Sequence, residues 1–316
     1  MLRHFRSKEF LGITLRDLVL SVFTRSLESL AMKTDPIFSV LAVRGNPSVC
    51  VEARHFVRKM SGGAQGHLIE SADGDTYVVK FTNNPQHLRI VINEWITSII
   101  FRHLCISTPD AAVVNISREF IRDNPGVYMD LHSRRVLPTF GSHYGSRFAG
   151  KSGQIKVYSQ LPNATLDNVA NLSDFCGVFV ADKWLGNTDY RQAIFTRTPG
   201  VSRPFSFVVQ MIDNGQMFDG GNWRFEDSPI RGPYFGSVYQ HVHGITAFEP
   251  WLAAVAAFPA AVLEGAFQQM PSSWRSGDTE AAFEKLLGQL MRRRDRVSDW
   301  IYECHALATN PFPNWT

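Results

Sequence analysis

The sequence predicts a two-lobed α+β fold, with an antiparallel β lobe that holds one helix and a mostly helical lobe after it. Three observations support this prediction. Residues up to about 116 have the pattern of short strands around one helix, residues 172–305 have mainly the pattern of helices, and the one later hairpin lies between helical segments. Two such lobes in series leave a cleft where a ligand can bind.

The composition is that of a globular chain. Of 316 residues, 44% are hydrophobic and 19% are charged, which supplies a sizeable core and excludes intrinsic disorder. No apolar run reaches the roughly 18 to 20 residues that cross a bilayer. The net charge is +3, and residues 1–31 carry five basic and three acidic side chains, so the remainder is almost neutral. Without a clustered basic surplus, we do not expect nucleic acid as the main partner.

Cysteine usage gives a prediction about compartment. The four cysteines, Cys50, Cys105, Cys176 and Cys304, lie far apart and form no Cys-x-x-Cys pair. This spacing excludes a zinc site of the usual kind and a dense disulfide framework. We therefore expect free thiols and a reducing, cytoplasmic location.

Residues 1–31 differ from the rest of the chain. Apolar side chains recur there at roughly helical spacing with arginines between them, and Met32 opens a fresh segment. The apolar stretch Leu18–Phe23 is too short for a signal peptide, and the acidic residues argue against a transit peptide. An N-terminal extension and a helix packed on the domain both remain open. The chain is thus divided into this segment (1–31), a first lobe (32–118) and a second lobe (119–316).

Strands dominate the first lobe. The predicted strands are Phe38–Val43, Val49–Val51, His67–Glu70, Tyr77–Phe81 and Ala111–Ile116. Asp73-Gly74 is a strong hairpin turn between the third and fourth of these strands. A helix over about residues 88–104 separates the last two, with isoleucines and Trp95 on its buried side.

Helices dominate the second lobe after a region without clear elements. Residues 118–165 are rich in Gly, Ser, Arg and Pro, which favours a functional loop region. The predicted elements that follow are a helix at 172–185, strands Ala193–Arg197 and Phe205–Ile212, and helices Phe248–Phe258, Pro259–Gln269 and Thr279–His305. Asp278 is placed to cap the last helix.

A glycine-rich segment lies between two predicted strands. It reads Ser61-Gly62-Gly63-Ala64-Gln65-Gly66. Glycines let backbone amides approach a phosphate closely. Taken alone, however, a simple hairpin turn is the commoner explanation, and the segment is not a Walker A loop because no Gly-Lys-Ser/Thr follows it.

A lysine and a glutamate follow the glycine-rich segment at informative positions. Lys80 ends the strand after it, and Glu94 lies on the next helix. Kinases hold nucleotide phosphates with a lysine one strand after the glycine loop and a glutamate on the following helix. A solvated lysine at a strand end is the alternative.

Two aspartates flank the later hairpin. Asp189 lies on the loop after the helix, where a base can meet a substrate hydroxyl. Asp213 ends the second strand and precedes Asn214-Gly215, which is the layout of a magnesium-binding Asp-x-Gly turn. Either aspartate alone would be interpreted as a turn residue, but 24 positions apart across a hairpin they predict a site.

Together these segments resemble the HipA-like kinases, bacterial members of the protein-kinase and phosphoinositide-kinase superfamily. The similar segments are Asp182-Lys183-Trp184-Leu185-Gly186-Asn187-Thr188-Asp189-Tyr190-Arg191-Gln192, Ile212-Asp213-Asn214-Gly215, Tyr77-Val78-Val79-Lys80-Phe81, Asn93-Glu94, Tyr144-Gly145-Ser146-Arg147-Phe148 and Phe248-Glu249-Pro250-Trp251. The similarity covers roughly residues 33–302, and its specific part is the segment around Asp189.

The resemblance implies a protein-kinase-like fold and ATP-dependent phosphoryl transfer to a hydroxyl, on Ser or Thr of a protein. It implies that Lys80 contacts the ATP phosphates, that Glu94 orients this lysine, that Asp189 is the catalytic base and that Asp213 binds magnesium. Nucleotide contacts are implied for Gly62, Gly63, Gln65, Gly66 and Lys80.

Two departures from the family pattern matter. Kinases usually place a metal-binding asparagine five residues after the base, where this chain has Ile194, so Gln192 or Asn187 is expected to take that part or the contact is missing. Asp182 and Asn187 also have the usual spacing, but Asp182 lies inside an apolar helix pattern, and Asp189 is therefore preferred as the base. Tyr190 stands where relatives often have arginine.

The family also suggests partners and leaves alternatives open. Some HipA-like kinases are toxins held by an antitoxin, so we expect a protein substrate and an antitoxin or other regulatory partner. One alternative is a kinase for a small molecule or a lipid headgroup. Another is a non-catalytic nucleotide-binding module, which Ile194 favours and the retention of Lys80, Asp189 and Asp213 opposes.

Overall fold

The computed structural model describes residues 50–131, 134–150, 155–198, 206–227, 234, 237–275 and 277–316. All of these residues belong to one compact unit, Pro47–Thr316. The predictions for the N-terminal segment and for the strand at Phe38–Val43 lie outside the described residues.

Strands and helices follow one another in a mixed α and β order. The strands are β1 (Cys50–Lys59), β2 (His67–Ser71), β3 (Thr76–Lys80), β4 (Ala111–Ile116), β5 (Met129–Leu131), β6 (Arg134–Val136), β7 (Gly141–Arg147), β8 (Val157–Tyr158), β9 (Gln192–Thr198) and β10 (Ser206–Ile212). The α-helices are α1 (Leu88–His103), α2 (Arg118–Asp123), α3 (Asp174–Leu185), α4 (Trp251–Ala256), α5 (Ala260–Gln268), α6 (Thr279–Arg293) and α7 (Val297–His305). Short 3-10 turns lie at Asn163–Asn168, Ser237–Tyr239, Ile245–Phe248, Ser272–Trp274 and Arg294–Arg296.

Five strands close into a barrel in the order β1-β2-β3-β7-β4. Neighbouring strands are antiparallel except β1 and β4, which run parallel and close the barrel. The prediction of a purely antiparallel segment is therefore wrong at this one pair. A parallel pair is feasible because β2, β3 and α1 lie between the two strands in the chain and supply the long connection that it needs.

The predicted hairpin turn is present between β2 and β3. Leu68 pairs with Val78 and Ile69 with Tyr77 across this hairpin, and Gly74 has a positive φ of 79°. Side chains alternate in and out of the barrel, and the inward ones form a core of their own. This core contains Val51, Ile69, Tyr77, Val79, Phe81, Ala112, Val114, Ile116, Phe120, Val127 and Met129.

The prediction that residues 118–165 form a loop region is wrong. This stretch holds α2, three short strands and β7, which is the strand between β3 and β4 in the barrel. The sequence of β7 is rich in polar residues and glycine, so it lacks the apolar alternation of a strand. Gly145 explains part of this composition, because a Cβ atom there would lie only 2.5 Å from a Val114 methyl group.

Helix α1 lies between the barrel and the helical part of the chain. Trp95 on this helix is completely buried, and its indole nitrogen donates a hydrogen bond of 3.0 Å to the carbonyl of Ala266 in α5. Polar Asn93 and Glu94 are also buried. Since burial of an unpaired polar group is costly, these two side chains must have specific partners.

Aromatic side chains fill the second core, around α3. Its largest completely buried members are Trp95, Trp184, Trp274, Tyr239, Phe101, Phe175, Phe179, Phe195, Phe218, Phe248 and Phe258. Strands β10, β9 and β8 form a three-stranded sheet, and Phe195 of β9 lies with its ring centre 6.2 Å from that of Phe175 in α3. The β9–β10 hairpin has the predicted position, with Gln210 opposite Ile194.

Three details of the predicted helices change. The helix predicted over 279–305 is broken by the 3-10 turn Arg294–Arg296, and the helix predicted from Phe248 begins at Trp251. Asp278 holds the capping position of α6, but its side chain makes no capping hydrogen bond. Its carboxylate lies instead 3.6 Å from the guanidinium of Arg89.

Two further predictions concern cysteines and membranes. All four cysteines are free, Cys50 and Cys105 at the surface and Cys176 and Cys304 buried. Over the part of the chain that the structure describes, no helix has the length and apolar character needed to pass through a membrane.

Candidate active site

Lys80 joins two carboxylates at the boundary between the barrel and the helical part. Its ammonium group forms an ion pair with Glu94 of α1 and a second one, of 2.7 Å, with Asp213 after β10. Gln192, at the start of β9, donates a hydrogen bond of 2.9 Å to the other oxygen of Asp213. We refer to Lys80, Glu94, Asp213 and Gln192 as the lysine cluster.

The backbone after β10 places Asp213 in this cluster. Asp213 has a positive φ of 60°, a conformation that costs free energy in residues other than glycine and persists only where the surroundings hold it. The amide of Asn214 donates a hydrogen bond of 3.0 Å to Glu94. Gly215 passes so close to α1 that a Cβ atom would lie 2.6 Å from an Ile90 methyl group. The backbone of residues 213–220, which we call the Asp213 turn, is therefore fixed against α1.

Asn93 holds the rest of this turn. Its amide nitrogen lies 2.8 Å from the carbonyl oxygens of Gly215, Met217 and Gly220, and its oxygen accepts a hydrogen bond of 2.8 Å from Trp223. Asn93 is completely buried, so these bonds satisfy a polar group that would otherwise destabilise the core. The neighbouring pair Asn93-Glu94 thus fixes the Asp213 turn from one helix.

The charges of the lysine cluster stabilise one another. Burial acts to lower the pKa of Lys80, but the attraction of Glu94 and Asp213 outweighs it and raises this pKa. Burial likewise acts to raise the pKa of Asp213, and the attraction of Lys80 outweighs it, so this pKa is lowered. Lys80 is therefore cationic and Asp213 anionic at neutral pH.

The side chains of the lysine cluster differ in their exposure to solvent. The side chains of Lys80 and Glu94 are 11% and 3% exposed, whereas that of Asp213 is 33% exposed. An incoming anion or cation can reach the cluster at Asp213 and Lys80 without displacing Glu94.

Asp189 lies on the loop between α3 and β9 (residues 186–191), which we call the base loop because the family resemblance predicts a catalytic base there. Asp189 is exposed, and its carboxylate accepts a hydrogen bond of 2.8 Å from the amide of Tyr190. Its own amide donates a bond of 3.0 Å to Asn187. Asn187 is buried and also donates a bond of 3.2 Å to Asp182. The structure therefore places Asn187 inside the base loop and not in the lysine cluster, where Gln192 lies.

A second cluster, which the sequence did not reveal, lies beneath the base loop. Arg191 binds both carboxylate oxygens of Asp182 and the side chain of Asn214, the last at 2.8 Å. We refer to Asp182, Asn187, Arg191 and Asn214 as the arginine cluster. The side chains of Asp182 and Arg191 are both 0% exposed. The one signal in the sequence was an aspartate inside an apolar helix pattern, which requires a buried partner.

The glycine-rich segment forms the turn between β1 and β2. The amide of Gln65 closes the turn with a bond of 3.1 Å to the carbonyl of Gly62, and Gln65 has a positive φ of 48°. The Gln65 side chain exchanges two hydrogen bonds of 2.7 Å with the backbone of Asp130. Asn84 donates a bond of 2.9 Å to the carbonyl of Ala64. Both flanks of the turn are thus anchored, while Gly62 and Gly63 are exposed at its tip.

The described residues do not include a preformed metal-binding site. Within the described ranges, no group of three or more His, Cys, Asp or Glu side chains is placed to hold a metal ion. A divalent ion at Asp213 would therefore need oxygens from a bound ligand as well as from the protein.

Comparison with solved structures finds proteins of similar fold. The crystal structure of the Golgi casein kinase matches with a TM-score of 0.50 and 15% identity over 83% of this chain and 75% of that one. A crystal structure of the Golgi casein kinase with Mn/ADP bound matches with a TM-score of 0.47 and 13% identity, covering 82% and 74% of the two chains. The structure of hydra Fam20 with sugar matches at 0.46 and 11%, covering 81% and 86%. At 15% identity, the likeness to the first of these structures concerns the protein-kinase-like fold alone.

The sequence identifies the family within this fold. The chain matches the HipA-like kinase family over residues 54–298. It belongs to the HipA-like kinase family, which confirms the resemblance seen in its motifs and makes it a kinase-type phosphotransferase by class. Comparison with curated proteins finds no match.

Proposed function

We propose that the protein transfers the terminal phosphoryl group of ATP to a hydroxyl, on Ser or Thr of a protein target. The observation that carries this proposal is the lysine cluster, in which one cation bridges a buried glutamate and a half-open aspartate. Phosphoryl transfer requires positioning and charge stabilisation more than covalent chemistry from the protein. A fixed cation beside an anionic metal ligand supplies both.

In this proposal the barrel and the helical part are the two lobes of the kinase, and ATP binds between them. Lys80 contacts phosphate oxygens, held in place by Glu94. The exposed tip of the glycine-rich turn, Gly62 and Gly63, contributes backbone amides to the phosphates, while Gln65 and Gly66 shape that turn.

The donor set around Asp213 fits magnesium. Magnesium prefers hard oxygen ligands and is commonly bound through one or two carboxylates together with substrate phosphates and water. Asp213 offers a carboxylate, and the side chain of Gln192, whose nitrogen already donates to that carboxylate, also carries an amide oxygen. When bound, the ion supplies positive charge that balances the phosphates. Gln192 would then provide the second metal contact, for which Ile194 has no ligand atom. Asn187 remains in the base loop.

Asp189 is the proposed base. Its carboxylate is exposed and lies on a loop that Asn187 and Asp182 support from below. An exposed carboxylate on a supported loop can accept the hydroxyl proton of an incoming substrate. Asp182, by contrast, is enclosed by Arg191 and cannot reach a substrate.

A non-catalytic nucleotide-binding module is the second candidate, because of one observation. Ile194 lies within β9 opposite Gln210 and offers no ligand atom at the position where kinases usually have asparagine. In this case the lysine cluster would still bind nucleotide, but transfer would be absent.

One experiment separates these functions. The full chain is incubated with Mg-ATP and a cell extract, and phosphorylated products and the mass of the protein itself are measured, with Asp189→Asn as the matched control. Phosphoprotein that depends on Asp189 supports the proposal. A labelled small molecule or lipid headgroup indicates the alternative substrate class, and calorimetric binding of Mg-ATP without any product indicates the non-catalytic module. Growth arrest on expression, relieved by Asp189→Asn, tests a toxin role and would justify a search for an antitoxin partner.

A further inference from the structure

Arg191 uses its guanidinium group on three elements at once. Its Nε and Nη2 atoms bind the two carboxylate oxygens of Asp182 in α3. Its Nη1 atom donates to the carbonyl of Ile212 at 3.1 Å and to the side chain of Asn214 at 2.8 Å. The group is completely enclosed and lies 5.5 Å from the ring centre of Phe101 in α1.

These partners flank Asp213 in the chain and support the loop that carries Asp189. Ile212 and Asn214 are the residues on either side of Asp213, and Asp182 supports the base loop through Asn187. A second tie runs in the same direction, because the amide and hydroxyl of Thr188 both donate to the carbonyl of Gln216 at 3.2 Å. The base loop and the Asp213 turn are thus joined by Thr188, by Asp219, whose amide donates to the carbonyl of Gly186 at 3.1 Å, and by the buried Arg191.

Stability alone does not account for this arrangement. A buried ion pair contributes little net stability compared with well-packed apolar side chains of similar volume. What a guanidinium offers instead is a planar fork with fixed directions, which lysine cannot reproduce. Here the fork binds the backbone carbonyl before Asp213 and the side chain of the residue after it, and Asp213 itself is held at positive φ.

We propose that Arg191 is a positioning residue that sets the Asp189 loop and the Asp213 turn in one geometry, so that base and metal ligand face the same phosphoryl group. This inference rests on the proposed kinase function. Arg191 itself touches neither substrate nor nucleotide. Removing its fork should therefore leave nucleotide contacts at Lys80 in place while weakening every step that depends on the orientation of Asp213 or Asp189.

The test compares Arg191→Lys with Arg293→Lys. Arg293 is a matched control because it is also buried, binds the carboxylate of Asp227 at 2.7 Å and donates to the carbonyls of Trp184 and Lys183. Both substitutions keep a positive charge and lose a buried fork, but only Arg191 contacts the Asp213 turn. Affinity for a fluorescent ATP analogue is measured for the full chain with magnesium and with EDTA, and kcat and KM are measured where transfer occurs.

The expected result is a difference in the magnesium-dependent part of binding. Arg191→Lys should weaken analogue binding in magnesium by about 10- to 100-fold, the usual loss when a residue supporting a metal ligand is removed, and should leave binding in EDTA unchanged. Arg293→Lys should lower the melting temperature while the ratio of the two affinities stays as in the unaltered protein. Equal ratios in both variants would overturn the inference, since Arg191 would then only stabilise the fold.

A second variant covers the case in which Arg191→Lys fails to fold. Asn214→Ala removes one acceptor of Arg191 and keeps the backbone amide that binds Glu94. It should also reduce the magnesium-dependent affinity, by less than the first variant, and no reduction would count against the inference. If the unaltered protein binds no analogue in either condition, the proposed function itself is wrong and this inference falls with it. If the unaltered protein binds the analogue but Arg191→Lys and Asn214→Ala both keep its magnesium dependence, the inference about Arg191 is wrong and the proposed function stands.

Discussion

The lysine cluster and the arginine cluster meet at adjacent residues, Asp213 and Asn214, yet they differ in access to solvent. Each holds a cation between a buried carboxylate and the Asp213 turn. In the lysine cluster the side chain of Asp213 is 33% exposed, whereas Asp182 and Arg191 are both 0% exposed. A cation with one open partner can exchange that partner for a ligand. An enclosed cation such as Arg191 keeps its partners and holds the surrounding groups in place.

The largest expected effect tests this difference through stability. Asp182→Asn leaves the guanidinium of Arg191 buried without its counter-charge and should lower the free energy of unfolding by about 3 to 5 kcal/mol. The matched variant Glu94→Gln should cost only about 1 to 2 kcal/mol, because Lys80 keeps its ion pair with Asp213. Urea unfolding followed by tryptophan fluorescence measures both values. Equal losses would show that the two clusters are held in the same way.

The next effect separates chemistry from binding. Asp189→Asn should reduce transfer by about 10²-fold or more, equivalent to about 2.7 kcal/mol in the activation free energy. Because Asp189 is exposed, the free energy of unfolding should change by no more than about 0.5 kcal/mol.

Asp213→Asn is the comparison for this variant. A neutral amide balances less of the charge of magnesium, so this change should weaken Mg-ATP binding, whereas Asp189→Asn should leave it nearly intact. Calorimetric titration beside a phosphorylation assay measures both. Loss of nucleotide binding in Asp189→Asn, with binding retained in Asp213→Asn, would reverse the two assignments.

A smaller effect is expected at Lys80, the cation of the lysine cluster. Lys80→Ala should weaken nucleotide binding by about 1.5 to 3 kcal/mol, because it removes a charge-assisted contact to phosphate. Lys285→Ala, at an exposed position on α6, is the control and should bind as the unaltered protein does. Equal affinities for both variants in calorimetry would place the nucleotide elsewhere.

The residues of the lysine cluster were predictable because each has a local signature. Lys80 ends an apolar strand, Glu94 follows on the next predicted helix, and Asp213 precedes an Asn-Gly pair at a strand end. The ion pair of Lys80 with Glu94 is as predicted, that of Lys80 with Asp213 was not predicted, and the roles of these residues toward ATP and magnesium stay predictions. The position of Asp189 between the predicted helix and the predicted hairpin also placed it on a loop, and the structure has it there.

The arginine cluster and β7 were not predictable, for a physical reason. The contact of Asp182 with Arg191 links a helix to the end of a loop, and that of Arg191 with Asn214 spans the whole β9–β10 hairpin. Neither leaves a periodic signal in the sequence. Strand β7 is recognisable only from its neighbours, since the space at Gly145 is limited by Val114 on the adjacent strand β4 and not by any residue near it in the chain. Both features depend on tertiary closure, which overrides local propensity.

The smallest expected effect concerns His143, a buried side chain whose hydrogen-bond partners are Thr82 and Thr139 and not a charged group. His143 on β7 is completely buried, accepts a hydrogen bond of 2.9 Å from the amide of Thr82 and contacts the carbonyl of Thr139 at 2.8 Å. Burial lowers the pKa of His143 to about 4 from its ordinary 6.5, although the contact with Thr139 opposes this. The folded protein thus keeps the imidazole neutral where the unfolded chain takes up a proton.

The sign of the pH effect follows from proton uptake. Between pH 6.5 and 4 the unfolded state binds more protons at this site, so stability falls as the pH falls and becomes constant below about 4. From pH 6.5 to pH 5.5 the loss should be about 1 kcal/mol. His143→Gln can keep both hydrogen bonds without titrating, and since His67 is also buried with a lowered pKa, the difference between the two proteins isolates His143. Urea unfolding at both pH values measures this difference, and an identical pH dependence in the variant would show that folding leaves the pKa of His143 unchanged.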